Sequence, residues 1–501
     1  MINKAFFPII ILIISFISLF VFTPMVCAKD KWINLQSKNF NVISNADEKK
    51  TKELTLKMEQ FRYTLSQLYP DIPENEPIPV TVVIFKDDKT FNPFKPIYNG
   101  KRRNDIAGYF EANEDENIIA IDASSNEILR VIFHEYFHLL LSFGVTELPL
   151  WVNEGLAELY SSFEIDKKEA VLGAPLAYHV SYLQDNDLKF IPLKTLIQVD
   201  DKSPIYNESD KNSFFYTQSW ATMHYLILSE RGMRKPQLFK YLKLLRSGKP
   251  AEQAFTEAFG SFEEMDRAIK HYVSNQYYTI LKRPLSVTLS DSNFSIQPLS
   301  DAQTQFYLGN LLLRTGRFDE AEKYFQQATS LDNSLVSSVE GLAFIAAKRS
   351  NLAQAKEYFK QAIMGNSKNY LVYYQYAETL FSTIEQDNKK LSPELVKEII
   401  ANARKALELR EIFAPAYNII ALTQLLSGKN YLEGIEAGKQ AVLFAPKKQK
   451  FALTLAQLQL KNSDYIEAKK TLQPLVSSKD EEVKEVATNI MKKVNEELAP
   501  K

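Results

Sequence analysis

Apolar and polar positions change rhythm along this chain, and the rhythm predicts its elements. Asn39-Phe-Asn-Val-Ile-Ser44 alternates like a strand, and Asp47 onward reads as a helix through Leu68, with Leu54, Met58, Phe61, Leu65 and Leu68 at helical spacing. Pro79–Phe85 is a β-branched run that predicts a central strand. Ile106–Phe110 and Asn117–Asp122 predict a hairpin across the acidic, turn-prone Asn113-Glu-Asp-Glu116. An apolar helix follows over Val131–Leu140, with Asn126 as its N-cap and Gly144 as its stop. Pro149 leads into a second helix over Leu150–Tyr160. Residues 161–285 read as mostly helical and include the aromatic, amphipathic Phe214–Leu228. Ser261-Phe-Glu-Glu264 after Gly260 is a capping-box start. The Pro-, Ser- and Asp-containing residues 284–300 read as a linker.

Beyond that linker the pattern repeats. Gly309, Ala321, Phe325 and Ala328 recur 34 residues later as Ala343, Ala355, Phe359 and Ala362. Small residues at these offsets let paired helices pack closely, so that each pair buries its face on the next. Ala377 opens a third unit, interrupted by a polar insertion over Glu385–Pro393. Ala406, Ala421, Ala441 with Pro446, and Ala456 with Ala468 continue the pattern less cleanly. About four to five repeats and a polar terminal helix near 480–496 are expected. This half, residues 301–496, resembles the tetratricopeptide repeat family. The resemblance implies an all-α solenoid whose concave surface takes a protein or peptide partner, or one that only braces the rest of the chain.

The first residues stand apart. Lys4 is followed by an apolar run from Ala5 to Phe22 and then by Thr23-Pro24-Met25-Val26-Cys27-Ala28, which reads as a secretory signal peptide over residues 1–28. The run is also long enough to be an uncleaved membrane anchor. Either reading makes the protein secreted or extracytoplasmic. Cys27 is the only cysteine, so the mature chain would hold neither a disulfide nor a thiolate metal site; Val26 makes lipid attachment at Cys27 the weaker reading. The net charge of −1 shows no basic excess, which argues against a nucleic-acid partner.

The chemistry is concentrated in Val131-Ile-Phe-His-Glu-Tyr-Phe-His-Leu-Leu140. In a helix, His134 and His138 sit one turn apart on one face and can share a metal ion, with Glu135 beside them as a base for a metal-bound water. Imidazole and carboxylate ligands suit zinc. The chain has five histidines in all, so two of them at this spacing is not a composition effect. The second helix adds Glu154 and Glu158 at i, i+4. They could supply a third ligand and a carboxylate partner for a ligand histidine.

The pair His134-Glu-Tyr-Phe-His138 and Leu148-Pro-Leu-Trp-Val-Asn-Glu-Gly-Leu-Ala-Glu-Leu-Tyr160 resembles the gluzincin metallopeptidases. Over residues 29–283 the resemblance implies an α+β zincin-like domain with a mixed sheet plus helices, binding Zn2+ and hydrolysing a peptide or protein substrate. By that resemblance His134, His138 and Glu154 are zinc ligands, Glu135 is the base, and Glu158 is the acidic residue that orients a ligand histidine. Fifteen residues separate His138 from Glu154, fewer than in the best-known gluzincins, and plain counting favours Glu158. The Asn-Glu-Gly context favours Glu154, which is the assignment taken. Tyr216 and His224, on the aromatic helix, are candidates to hydrogen-bond the developing oxyanion. The strand before the first helix could pair with extended substrate or be a plain sheet edge. The competing function is a repeat-type binding protein whose zinc domain is idle or only holds peptide. The intact Glu135 speaks against idleness, because metal binding alone does not require it.

Overall fold

The structure is a computed structural model of the chain. It describes residues 30–499 apart from 71, 73–77, 99, 105, 126–127, 143–147, 185–189, 207–213, 276, 286–289 and 388–390. The expected leader or anchor over residues 1–28, Cys27, Asn126 and Gly144 lie outside the described residues. Among the described residues no helix is long and apolar enough to cross a membrane.

From Trp32 onward the chain forms one compact unit. Strands β1 (Ile33–Gln36) and β2 (Phe40–Ser44) form a hairpin. The side chain of Asp47 then accepts from the backbone N–H of Lys50 and starts α1 (Glu48–Leu68), which buries Leu54, Met58, Phe61 and Leu65. β3 (Val80–Phe85) follows, then the hairpin of β4 (Gly108–Glu111) and β5 (Asn117–Asp122). Helices α2 (Ile128–Ser142) and α3 (Leu150–Ser161) come next. The region read as mostly helical holds a hairpin, β6 (Glu164–Asp166) and β7 (Glu169–Leu172), before α4 (Ala177–Gln184) and α5 (Phe214–Leu228). Helices α6 (Lys235–Arg246), α7 (Ala251–Phe259) and α8 (Phe262–Ser274, capped by Ser261) follow. Strand β8 (Leu281–Pro284) then pairs with β7.

The expected linker does not separate two bodies. Within it, β9 (Ser295–Pro298) pairs antiparallel with β1. The main sheet runs β9-β1-β2-β3-β5-β4, with β2, β3 and β5 parallel and β4 at the edge. Pro, Ser and Asp are compatible with a short edge strand, which is what this stretch becomes.

Both faces of the sheet are covered. Val42, Val82, Ile84, Ile119 and Ile121 share a core with α1, α2, α3 and α5. Their neighbours Ile43, Val83, Phe85, Ile118 and Ala120 share another with Leu308, Leu311, Phe325 and Leu342 of the repeats. Double coverage explains why β3 and β5 are continuous apolar runs rather than alternating ones. Each fully buried Val, Ile or Phe contributes roughly 1.5–3 kcal/mol, so the repeats are part of what stabilises the sheet.

The repeat array comprises α9 (Asp301–Arg314) and α10 (Phe318–Leu331), α11 (Val336–Lys348) and α12 (Leu352–Met364), α13 (Tyr370–Asp387) and α14 (Pro393–Leu409). It continues with α15 (Ala414–Ser427) and α16 (Tyr431–Phe444), α17 (Gln449–Lys461) and α18 (Tyr465–Leu472), and a last helix α19 (Glu481–Leu498). Ala321, Ala328, Ala343, Ala355, Ala362, Ala377, Ala406, Ala421, Ala441, Ala456 and Ala468 are fully buried, as the periodicity requires. The expected insertion at Glu385–Pro393 is shorter than its polarity suggested, because α13 continues to Asp387 and Pro393 already opens α14. Proline fits that first helical position, where no N–H is needed.

Candidate metal centre

The apolar run of α2 packs its helix into the core, with Phe133 stacked on Phe61 and Tyr136 tilted against Phe40. That docking fixes the face carrying His134, Glu135 and His138. Helix α3 is set beside it by close approach to α5. A Cβ on Gly155 would lie 2.5 Å from the Ser219 carbonyl oxygen and 2.5 Å from the Met223 side chain. The glycine of the Asn-Glu-Gly run is therefore a packing requirement, and the helix it lets dock there carries Glu154 to the two histidines.

Three donor atoms then meet. His134 Nε2 and His138 Nε2 are 3.2 Å apart, and Glu154 Oε2 lies 3.3 Å from the first and 3.4 Å from the second. The other ring nitrogens face away from this triangle. His134 Nδ1 is 3.2 Å from Glu158 Oε1, and His138 Nδ1 is 3.2 Å from Asn153 Oδ1. Nδ1–H donation to a carboxylate and an amide oxygen would leave both Nε2 lone pairs for a cation, which is how ligand histidines are usually held. A tetrahedral ion at roughly 2.0–2.1 Å from each donor spaces those donors by about 3.3–3.4 Å. The triangle has that size, so the residues present fit zinc.

Electrostatics agree with the geometry. Burial opposes ionisation of Glu154, but hydrogen bonding and charge from His134 and His138 outweigh it and hold the carboxyl down at about 2. Burial also opposes ionisation of Glu158, yet His134 and His179 hold it well below the usual carboxylate range. The site is open on one side: His134 and Glu154 are nearly covered, while the His138 side chain keeps 22% of its surface and Glu135 is half-buried. Half-buried Glu111, at the end of edge strand β4, feels the Glu135 charge; burial first and that charge second push its carboxyl up.

The residues singled out in the sequence thus divide clearly. His134, His138 and Glu154 come together, and Glu158 lies behind His134. Tyr216 is fully buried with its ring centroid 6.4 Å from that of His134, beside Tyr206. His224 belongs to the core instead. Its Nε2 is bonded to the Gly173 carbonyl at 2.9 Å and its Nδ1 to the Tyr272 hydroxyl at 2.7 Å. Burial pushes its imidazole down to about 4 despite the Gly173 bond, so it stays neutral.

Sequence reasoning missed the group behind Glu158. The Tyr178 hydroxyl donates to Glu158 Oε2 at 2.7 Å, and His179 Nε2 lies 3.1 Å from the same oxygen. His179 Nδ1 reaches Thr217 Oγ1 at 2.8 Å, while Arg130 donates to the Tyr178 hydroxyl at 2.9 Å and stacks over its ring. The scarcity of histidine was the available signal: His179 is one of five.

Residues 302–335 match the tetratricopeptide repeat family. No curated protein matches the chain. Among solved structures, the chain is similar to YrrB, a TPR protein with an unusual peptide-binding site, at 17% identity over 38% of this chain and 92% of that one, with a TM-score of 0.33. It is also similar to a thermophilic TPR protein of Thermus thermophilus, at 19% identity over 38% of this chain and 98% of that one, with a TM-score of 0.29. PilF of Pseudomonas aeruginosa is 18% identical over 40% of this chain and 86% of that one, with a TM-score of 0.32. Scores this low carry no argument of their own. The C-terminal part is a helical repeat solenoid, on the strength of the family match and its paired helices, and it follows an α+β region with a mixed sheet.

Proposed function

We propose that the protein is a zinc-dependent metallopeptidase whose repeat array binds protein or peptide. The observation that carries this reading is the triangle of His134 Nε2, His138 Nε2 and Glu154 Oε2, with sides of 3.2, 3.3 and 3.4 Å. A bound zinc ion supplies Lewis acidity, polarising a peptide carbonyl and lowering the pKa of water. The chain's own residues do the rest. Glu135, half-buried beside the ligands, takes the proton from the attacking water and delivers it to the leaving amine. Glu158 and Asn153 fix the orientation of the two imidazoles, and Tyr216 is the nearby hydroxyl for the developing oxyanion. An extracytoplasmic setting belongs to the proposal too, and its support is the residue order of 1–28.

Metal analysis of the purified chain tests the site: about one zinc per molecule is expected, and none in a folded sample would remove the assignment. Glu135→Gln keeps size and ligands, so zinc should remain while hydrolysis of a peptide library falls by about two orders of magnitude or more. Unchanged hydrolysis in that variant would refute the mechanism. A second reading is a repeat scaffold whose zinc region is catalytically idle. The match at residues 302–335 favours it, since that is where likeness to a known family lies. Retention of a partner by the metal-stripped protein, with no hydrolysis by the loaded one, would select it.

A further inference from the structure

The β4–β5 hairpin reaches out of the sheet, and its acidic tip ends in the groove of the repeat array. Arg314 holds Asp115 with two bonds, of 2.6 and 2.7 Å, and Asn310 donates to Glu116 at 2.7 Å. The Glu114 carbonyl accepts from the Tyr370 hydroxyl at 3.0 Å and from Arg410 at 2.6 Å. Arg410 also bonds the Tyr370 hydroxyl and lies over the rings of Tyr370 and Phe413. The array therefore already holds an acidic turn, and it does so with side chains from α9, α13 and the residue after α14.

Beside this contact is a cavity of about 460 Å³ whose walls include Arg314, Phe344, Lys368, Asn369 and Arg410. Its acids are largely engaged: Asp115 with Arg314, Glu116 with Asn310 and Thr81, and Glu340 with Ser367 and Asn369. Of its cations Arg314 is paired with Asp115, but Arg410 and Lys368 are not paired with an acid. Among the described residues no carboxylate lies within ion-pair distance of Arg410 or Lys368, and the hydrogen bonds of Arg410 go to a carbonyl and a hydroxyl. A guanidinium is built for two parallel bonds to a carboxylate, roughly twice as strong as bonds to neutral acceptors.

We propose that this cavity binds an acidic peptide segment of a partner protein, its carboxylates taken by Arg410 and Lys368, in competition with the protein's own hairpin tip. An arriving carboxylate offers Arg410 a better acceptor than the Glu114 carbonyl, so occupancy loosens the tip. The tip is continuous with β4, the edge strand that ends at Glu111 near Glu135. Partner binding in the array thereby reaches the edge of the candidate metal centre. The proposal stands apart from the metallopeptidase reading, and its test measures no hydrolysis.

The probe is a labelled synthetic peptide with the hairpin's own sequence, residues 110–118, titrated into the full chain and followed by fluorescence anisotropy. Saturable binding is expected, weakened by about ten-fold or more in Arg410→Gln and in Lys368→Gln. Asp115→Ala removes the internal competitor's anchor and keeps both cations, so it should bind the peptide more tightly than the parent. A brace with no recognition role predicts no binding by any of these proteins. Absence of binding to Asp115→Ala at millimolar peptide overturns the proposal, as does equal binding of a peptide with Gln and Asn in place of Glu and Asp. Should a variant fail to fold, hydrogen exchange on the parent decides: added peptide must speed exchange of the Asn113–Glu116 amides, and unchanged rates at saturation overturn the competition.

Discussion

Helices α2, α3 and α5 around the candidate metal centre and the helices of the repeat array both rely on close approach, but they use it differently. In the array it recurs. The Phe325 ring fills the space over two glycines: a Cβ on Gly309 would meet it at 3.0 Å and one on Gly341 at 2.5 Å. Phe359, one period on, sits among buried alanines in the same manner. At the candidate metal centre close approach occurs at Gly155, where it brings α3 onto α5. The core there holds buried His134, Glu154, Glu158, His179, Thr217 and His224. The array thus spreads its stability over many interchangeable apolar contacts. The metal-centre half depends on a few buried polar groups that must all be matched at once, since an unmatched one costs its full desolvation.

The largest effect should come from the array. Phe359→Ala leaves a ring-sized void and should cost about 3–5 kcal/mol in urea unfolding. Phe325→Ala should cost a similar amount, but Phe325 also belongs to the core that covers Ile43 and Phe85 of the sheet. It should therefore speed amide exchange in β2 and β3 where Phe359→Ala does not. Equal protection of the sheet in both variants would break the distinction between seam and array.

The polar core should answer to acid. His224 titrates near 6.5 when unfolded and near 4 when folded, so the unfolded state binds the extra proton within that window. Stability then rises with pH between about 4 and 6.5 and is lost as pH falls through that range, by up to about 3 kcal/mol. Urea midpoints measured at several pH values for the parent and for His224→Gln check this. The variant should lose that part of the slope, and an unchanged slope would place the acid sensitivity elsewhere.

Zinc affinity separates the two carboxylates of α3. Glu154→Ala should leave well under one zinc per molecule, because an anionic donor disappears from the triangle. Glu158→Ala should weaken binding by roughly 10–100-fold, the usual cost of losing a group that orients a ligand histidine. If Glu158→Ala empties the site and Glu154→Ala leaves it full, the two assignments exchange.

Much of this was legible in the sequence because it is periodic. The strand at Phe40–Ser44, the helix after Asp47 and the alanines 34 residues apart each follow from a local pattern. So does the pairing of His134 with His138, one helical turn apart. The choice of Glu154 over Glu158 rested on the Asn-Glu-Gly resemblance, and no periodicity could give it, since the two share a helix face. What decides the geometry is Gly155 against Ser219, a contact across more than sixty residues of chain. The same holds for the missed elements. β9 is four residues long and forms only because β1 offers it an edge. His179 reaches Glu158 only once α4 lies against α3. Contacts of that range leave no trace in local spacing, which is why residues 284–300 read as a linker.

The smallest expected effect lies at the join between the two halves. Ser300 lies two residues after the end of β9 and starts α9 with a reciprocal cap. Its hydroxyl accepts from the Gln303 N–H at 3.2 Å, and Gln303 Oε1 accepts from the Ser300 N–H at 2.9 Å. Ser300→Ala removes the first bond and should cost about 1 kcal/mol, as for other helix N-caps. The informative quantity is how the loss is distributed. β9 is hydrogen-bonded into the sheet, and α9 packs on the sheet's second face through Leu308 and Leu311. The variant should therefore shift one unfolding transition that both halves share, with the denaturant slope unchanged. Two transitions, with the repeats melting first and the sheet intact, would show that the halves are coupled less tightly than their common core implies. The cap would then stabilise the array alone.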